Sequence, residues 1–187
     1  LRELPMTVYD CCPFWNENDL YELRLNQHWD FVDKFIVTEA GETHTGNKKP
    51  FNFDHDRFEK YKSKIIYNKF ESFEEEINNN TYLLDNYSVH DRSAKGQNTN
   101  DWIRDHFQGN YPLKVLLEQE AKDDDIIYIS SSDEILKESS FKEAMKRFAD
   151  DKIFPLVSGG AQQPLGMCRP AFGFILDLYV YKFNLKS

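Results

Sequence analysis

The chain has 187 residues, with 23 basic and 32 acidic side chains and a formal net charge of −9. That length suits one domain with a full core, since a chain of this size buries roughly 70% of its unfolded surface, and an apolar content of 40% with 15% aromatics is too rich for a disordered chain. No apolar run approaches the ~18 residues of a membrane-spanning helix, the acid excess argues against a general nucleic-acid binder, and three cysteines, two of them adjacent, indicate no disulfide framework.

In chain order, Met6-Thr7-Val8-Tyr9 is a short β-type run that stops at Asp10, ahead of Pro13. Glu17 to Trp29 follows as a helix with apolar Leu20, Leu23 and Leu25, and Trp29 a turn later; Asn16 or Asn18 is placed to cap it, and Glu17 and Asp19 fall in the first turn, where the helix dipole favours negative charge. Lys34-Phe35-Ile36-Val37-Thr38 predicts a second strand, ending at Glu39-Ala40-Gly41, and Lys64-Ile65-Ile66-Tyr67 a third. Glu71 to Asn100, with Glu74-Glu75-Glu76 as a solvated face, reads as a long excursion between sheet elements. Asp101 to Phe107 and Pro112 to Ala121 predict two helices, and Asp125 to Ile129 a fourth strand. Continuous apolar strands alternating with helices give an α/β fold, a mostly parallel sheet flanked by helices. Phe174 to Leu185 predicts a last strand, and its closeness to Ser187 suggests a single domain over 1–187 whose C-terminal part is cut short.

The strongest chemical signal is Asp125-Ile126-Ile127-Tyr128-Ile129-Ser130-Ser131-Ser132-Asp133-Glu134-Ile135, an apolar strand delivering Asp133 and Glu134 at its carboxyl end. Ligands of open α/β sheets sit outside that end of the strands. Hard carboxylate oxygens there suit Mg²⁺ or Mn²⁺, which bridge to substrate phosphates. The same residues also serve as the start of a helix leading to Phe141 through Phe148, so taken alone the segment leaves both readings open.

Longer blocks carry a resemblance. Tyr9-Asp10-Cys11-Cys12-Pro13-Phe14-Trp15-Asn16-Glu17-Asn18-Asp19-Leu20-Tyr21-Glu22-Leu23-Arg24-Leu25 resembles the opening of glycosyltransferase family seventeen, the family of the β-1,4-mannosyl-glycoprotein N-acetylglucosaminyltransferase that adds bisecting GlcNAc. Val32-Asp33-Lys34-Phe35-Ile36-Val37-Thr38-Glu39, followed by Thr43-His44-Thr45-Gly46-Asn47-Lys48-Lys49-Pro50, is similar to that family's "VD-x-F-V-I-V-E … T-x-T-G-x-x-K-P". The Asp125 to Ile135 segment resembles its "D-I-I-I-x-S-D-x-D-E-I-P", and Tyr179 to Leu185 its "Y-x-Y-x-(F/L)-N".

The resemblance implies a GT-A-like, Rossmann-type sheet, a UDP-sugar donor, a divalent metal (Mn²⁺ or Mg²⁺), and inverting transfer of GlcNAc to a glycan hydroxyl. It places the metal on Asp133 and donor contacts on Asp10, Glu17, Glu39, Arg104, Ser131 and Glu134. Ser131 stands where the family pattern has the first Asp of D-x-D, and Leu136 where it has Pro, which weakens metal and donor binding. A catalytically weakened module that binds glycan or protein is the alternative, and an enzyme using Asp133 and Glu134 on nucleoside phosphates a second one.

Each of the others has a structural reading beside it: Glu17 as helix-start charge, Glu39 as a turn closure, Arg104 as a surface ion pair. No two of His28, His44, His55, His90 and His106 stand at i, i+4, so a histidine zinc site is not indicated. Cys11 and Cys12 read as core packing, Trp15 as core or as a ring to stack on a base or sugar, and Gly159-Gly160 lacks the lysine and spacing of a phosphate loop.

Overall fold

The computed structural model describes residues 7–84, 99–119, 121–122 and 125–142, together with the backbone of strands at 156–157 and 177–182. The elements are β1 (Val8–Phe14), α1 (Asn18–His28), β2 (Lys34–Ala40), β3 (Ile65–Phe70), α2 (Phe73–Asn79), α3 (Thr99–Glu118), β4 (Ile126–Ile129), β5 (Leu156–Val157) and β6 (Asp177–Lys182), with short 3₁₀ turns at Glu59–Tyr61 and Thr81–Leu84. The sheet order is β3-β2-β1-β4-β6-β5. β3, β2, β1 and β4 run parallel, and β6 is antiparallel to β4 and β5. This is the expected α/β architecture, a mostly parallel sheet flanked by helices.

Period-two alternation along buried strands sorts the core into two layers. Val8, Cys12 and Phe14 of β1 join Phe35 and Val37 of β2 and Ile126 and Tyr128 of β4 against Tyr21 and Leu25 of α1. Tyr9, Cys11, Ile36, Ala40, Ile127 and Ile129 point the other way, against Phe107, Tyr111, Val115 and Leu116 of α3. By the same alternation Asp10 and Glu39 lie on the α1 side of the sheet, and both are buried.

Several elements differ from expectation for identifiable reasons. β1 does not stop at Asp10 but runs on to Phe14, because the carboxylate is neutralised inside the core by Arg24 and His28. The inner face of α1 is Tyr21, Arg24, Leu25 and His28; of the three leucines Leu25 is buried, Leu20 is half-buried and Leu23 is 49% exposed. Glu17 occupies the N-cap position without a side-chain cap bond, and Asn18 instead donates to the Asn52 carbonyl at 3.0 Å and accepts from the Asp54 amide at 3.2 Å.

The two helices expected around Pro112 are one, α3. Burial of Phe107, Tyr111, Val115 and Leu116 on the sheet outweighs the helix bond that proline removes. The excursion after Glu71 contains α2, whose first turn holds Glu74 and Glu75 exposed while Glu76 accepts from Tyr111 Oη at 3.2 Å. Residues 85–98, and the expected helix beyond residue 142, lie outside the described residues, as does Gly159-Gly160. No helix among the described residues is long and apolar enough to cross a membrane.

Two outcomes follow from this packing. Leu25→Ala is expected to lower unfolding free energy by about 2–5 kcal/mol, and Leu23→Ala by no more than about 0.5 kcal/mol, in matched urea melts. Burial pushes the Cys12 thiol up to about 12 and raises that of its neighbour Cys11 as well. Iodoacetamide at pH 8 should therefore leave the Cys11–Cys12 peptide unmodified by mass spectrometry until denaturant is added.

Candidate active site

The strand order places a topological switch point between β1 and β4. The chain steps from β1 to β2 to β3 on one side, then lays β4 on the other side of β1, and ligand crevices of open sheets form at the carboxyl ends of such a pair. β4 pairs with β1 only as far as Cys11↔Ile129, followed by the Ser130 amide donating to the Cys11 carbonyl at 3.1 Å. β1 continues to Phe14, paired there with Glu39 of β2. β1 therefore overhangs the end of β4, and Pro13, with no N–H, offers no donor to extend the ladder. Beside this ledge the chain turns through Ser130 to Leu136.

That turn is held from below by a buried charged cluster. Asp10 accepts from Arg24 Nη2 at 2.6 Å and from Arg24 Nε at 3.0 and 3.1 Å, and its second oxygen lies 2.6 Å from His28 Nδ1. All three side chains have no exposed surface. Arg24 also donates to Ser130 Oγ at 2.7 Å and to the carbonyls of Ser131 and Glu134 at 2.6 and 3.2 Å. His28 Nε2 faces the Leu136 carbonyl at 3.1 Å. Both ring nitrogens thus face oxygen atoms at hydrogen-bond distance. Tyr128 adds its hydroxyl to the Glu134 carbonyl, and its ring lies 5.0 Å from the Arg24 guanidinium.

Burial alone would raise the Asp10 carboxyl, but the Arg24 guanidinium and the His28 hydrogen bond outweigh it and hold the group below the usual carboxylate range. Burial likewise opposes the Arg24 charge, and Asp10 outweighs it.

The structure places the other expected residues as follows. Ser131 and Asp133 are exposed on the turn, and Ser132 and Glu134 between and after them are buried. Glu134 turns its carboxylate back to accept from the Ser131 amide at 3.1 Å. Glu17 accepts from the amides of Trp15 and Asn16 at 2.9 and 3.1 Å, which fixes the turn leaving β1. Glu39 is buried with both oxygens engaged: Lys49 Nζ at 2.9 Å and the Asn52 amide at 2.7 Å on one, the Phe53 amide at 3.3 Å and Tyr67 Oη at 2.9 Å on the other. It is the anchor of the 49–53 segment. Asn52 Nδ2 donates to the Trp15 carbonyl at 2.9 Å and so joins that segment to the end of β1, where Trp15 is 42% exposed.

Arg104 of α3 donates to the His44 carbonyl at 2.9 Å and faces Asp101 at 3.6 Å. Gly46, at φ +85°, packs on its guanidinium, where a Cβ would fall 3.2 Å from Nη1. Arg24 thus joins Asp10 to the turn bearing Ser131, Asp133 and Glu134; Glu17 and Glu39 meet through the Trp15–Asn52 contact; Arg104 stands apart on the 43–47 turn.

Arg24 and His28 are the residues that the sequence reading missed. Their signal was present, since Tyr21, Arg24, Leu25 and His28 fall at i, i+3, i+4 and i+7, the inner stripe of a surface helix.

No group of three metal-ligating side chains occurs among the described residues. The donors at the turn, the exposed Asp133 carboxylate and the Ser131 hydroxyl, fit an ion that also takes phosphate oxygens and water, as Mg²⁺ does with one or two carboxylates; they do not form a complete cage.

An open parallel sheet with a carboxylate-bearing turn at its switch point defines an α/β domain of the GT-A-like kind. The family model of glycosyltransferase family 17 matches residues 1–151, and the chain belongs to that family: it is a glycosyltransferase, acting on a sugar donor and an acceptor. No curated protein and no solved structure matches the chain.

Asp10→Ala leaves Arg24 buried without its counter-charge and His28 Nδ1 without its partner, and should cost about 3–5 kcal/mol in urea melts at pH 7. Because the folded Asp10 carboxyl lies below its unfolded value of about 3.9, its contribution is complete above that value and is lost as pH falls through the folded one. Unfolding free energy followed from pH 6 downward should therefore fall more steeply in the parent than in Asp10→Asn.

Proposed function

We propose that the chain carries out metal-dependent, inverting transfer of GlcNAc from UDP-GlcNAc to a glycan hydroxyl. The observation that carries this reading is the exposed Asp133 carboxylate on the turn at the β1/β4 switch point, beside exposed Ser131. A nucleotide diphosphate sugar is an anion and the protein has a net charge of −9, so bulk charge repels the donor and a local cation has to offset that. Mn²⁺ or Mg²⁺ bound at Asp133 would neutralise charge developing on the departing diphosphate.

The residues divide by how they serve the donor. Asp133 and Ser131 present exposed side chains to it. Asp10, Glu39 and Glu134 are buried and act through Arg24, the 49–53 segment and the Ser131 amide. Glu17, part-exposed, borders the site through the Trp15–Asn16 turn, while Arg104, also part-exposed, holds the separate 43–47 turn. Ser131 supplies a neutral hydroxyl where the family pattern has a carboxylate, which lowers affinity for a cation and is the feature that favours the second reading, a weakened module that binds glycan or protein.

Titration calorimetry of UDP-GlcNAc with Mn²⁺ and with EDTA tests the proposal. Binding that requires Mn²⁺ and disappears in Asp133→Ala is expected, with Ser131→Asp tightening it by about tenfold or more. A folded protein that binds no UDP-GlcNAc under either condition would overturn the donor site in favour of the binding module.

A further inference from the structure

We infer that Arg24, with His28 and Tyr128, forms a clamp that positions the Asp133 turn for the donor. The inference rests on the donor site proposed above and names the residues that set its geometry. Arg24 has five N–H donors, and only part of that set serves its ion pair with Asp10. Nη1 goes to the carbonyls of Ser131 and Glu134 and Nη2 also to Ser130 Oγ. His28 and Tyr128 add contacts to the carbonyls of Leu136 and Glu134.

The effect on the turn is geometric. Carbonyls on either side of Ser132-Asp133 are drawn inward onto one guanidinium nitrogen, and the Ser131 amide is closed by Glu134 Oε2. Between those carbonyls Ser132 is buried and Asp133 is left facing outward, and exposure alternates along the turn: Ser131 out, Ser132 in, Asp133 out, Glu134 in. A buried ion pair is a poor means of holding a helix to a sheet, since apolar residues of similar volume do so as well or better. A planar fork that reaches three places on one turn does something an apolar residue does not.

Arg24→Lys separates the two roles. Lysine keeps a cation beside Asp10, but a single ammonium does not span Ser130, Ser131 and Glu134 together. The milder pair Tyr128→Phe and Ser130→Ala loosens the same turn without altering buried charge, so the test survives should Arg24→Lys fail to fold.

The full chain and each variant are compared by circular dichroism and thermal melting for fold, by calorimetry with UDP in Mn²⁺ and in EDTA, and by amide hydrogen exchange. Folded clamp variants are expected to weaken Mn²⁺-dependent UDP binding by about tenfold or more, to leave any binding in EDTA unchanged, and to exchange faster within residues 130–136 while β1 to β3 stay protected. Folded variants with the parent's Mn²⁺-dependent affinity overturn the clamp, and so does unchanged exchange at 130–136, which is read without any ligand. Loss of Mn²⁺ dependence in Asp133→Ala alongside unaffected clamp variants sinks this inference alone. Retained Mn²⁺ dependence in Asp133→Ala, or no UDP binding by the parent, removes the donor site and the positioning role with it.

Discussion

The fold depends on the placement of a charge where a hydrophobic residue would ordinarily sit. Asp10 lies in a central parallel strand, wholly buried, and would be untenable there without Arg24 and His28 on the facing helix. Moving an ion out of water costs several kcal/mol even after relaxation, so the cluster is stable because every oxygen and nearly every N–H in it has a partner at hydrogen-bond distance. That requirement fixes the rotation of α1 about its axis, and the rotation in turn decides which atoms the turn after β4 meets. Helix orientation, strand pairing and loop conformation are thus consequences of one satisfied charge.

A second buried acid repeats the pattern one strand over. Glu39 ends β2 on the same side of the sheet and binds the backbone amides of Asn52 and Phe53, with Lys49 as counter-charge. Phe53 then packs into the aromatic cluster of Phe14, Tyr21 and Phe58. Each acid takes hold of a different loop at the carboxyl edge, Asp10 through an arginine and Glu39 directly. Asp10 and Glu39, the carboxylates of β1 and β2 at that edge, therefore serve as internal anchors, whereas Asp133 on the turn after β4 faces solvent.

Much of the architecture was legible because apolar strands of four to eight residues between helical patterns leave few alternatives. Lys34 to Thr38, Ile65 to Tyr67 and Ile126 to Ile129 are strands for that reason. The failures share a cause: each involved a residue whose local preference was overridden by a distant partner. Asp10 reads as a strand end until Arg24 is placed beside it. Pro112 reads as a helix boundary until the burial of Tyr111 and Val115 on the sheet is known. Leu23 reads as core and Arg24 as surface on hydropathy alone, whereas the register of α1 reverses them. The position of Asp133 at a strand's carboxyl end was readable from pattern. That Asp10, Glu39 and Glu134 point inward was not, since their orientation depends on contacts spanning up to 110 residues.

The cluster also joins parts of the chain that are far apart in sequence. Arg24 and His28 stand only 14 and 18 positions after Asp10, so β1 and α1 alone supply all three members. The segment that seals them from solvent arrives more than 100 residues later. The guanidinium that pairs with Asp10 near the N-terminus is therefore enclosed by the turn that follows β4. Closure of the core around this charge and the shape of the sheet's carboxyl edge are thus one and the same set of contacts.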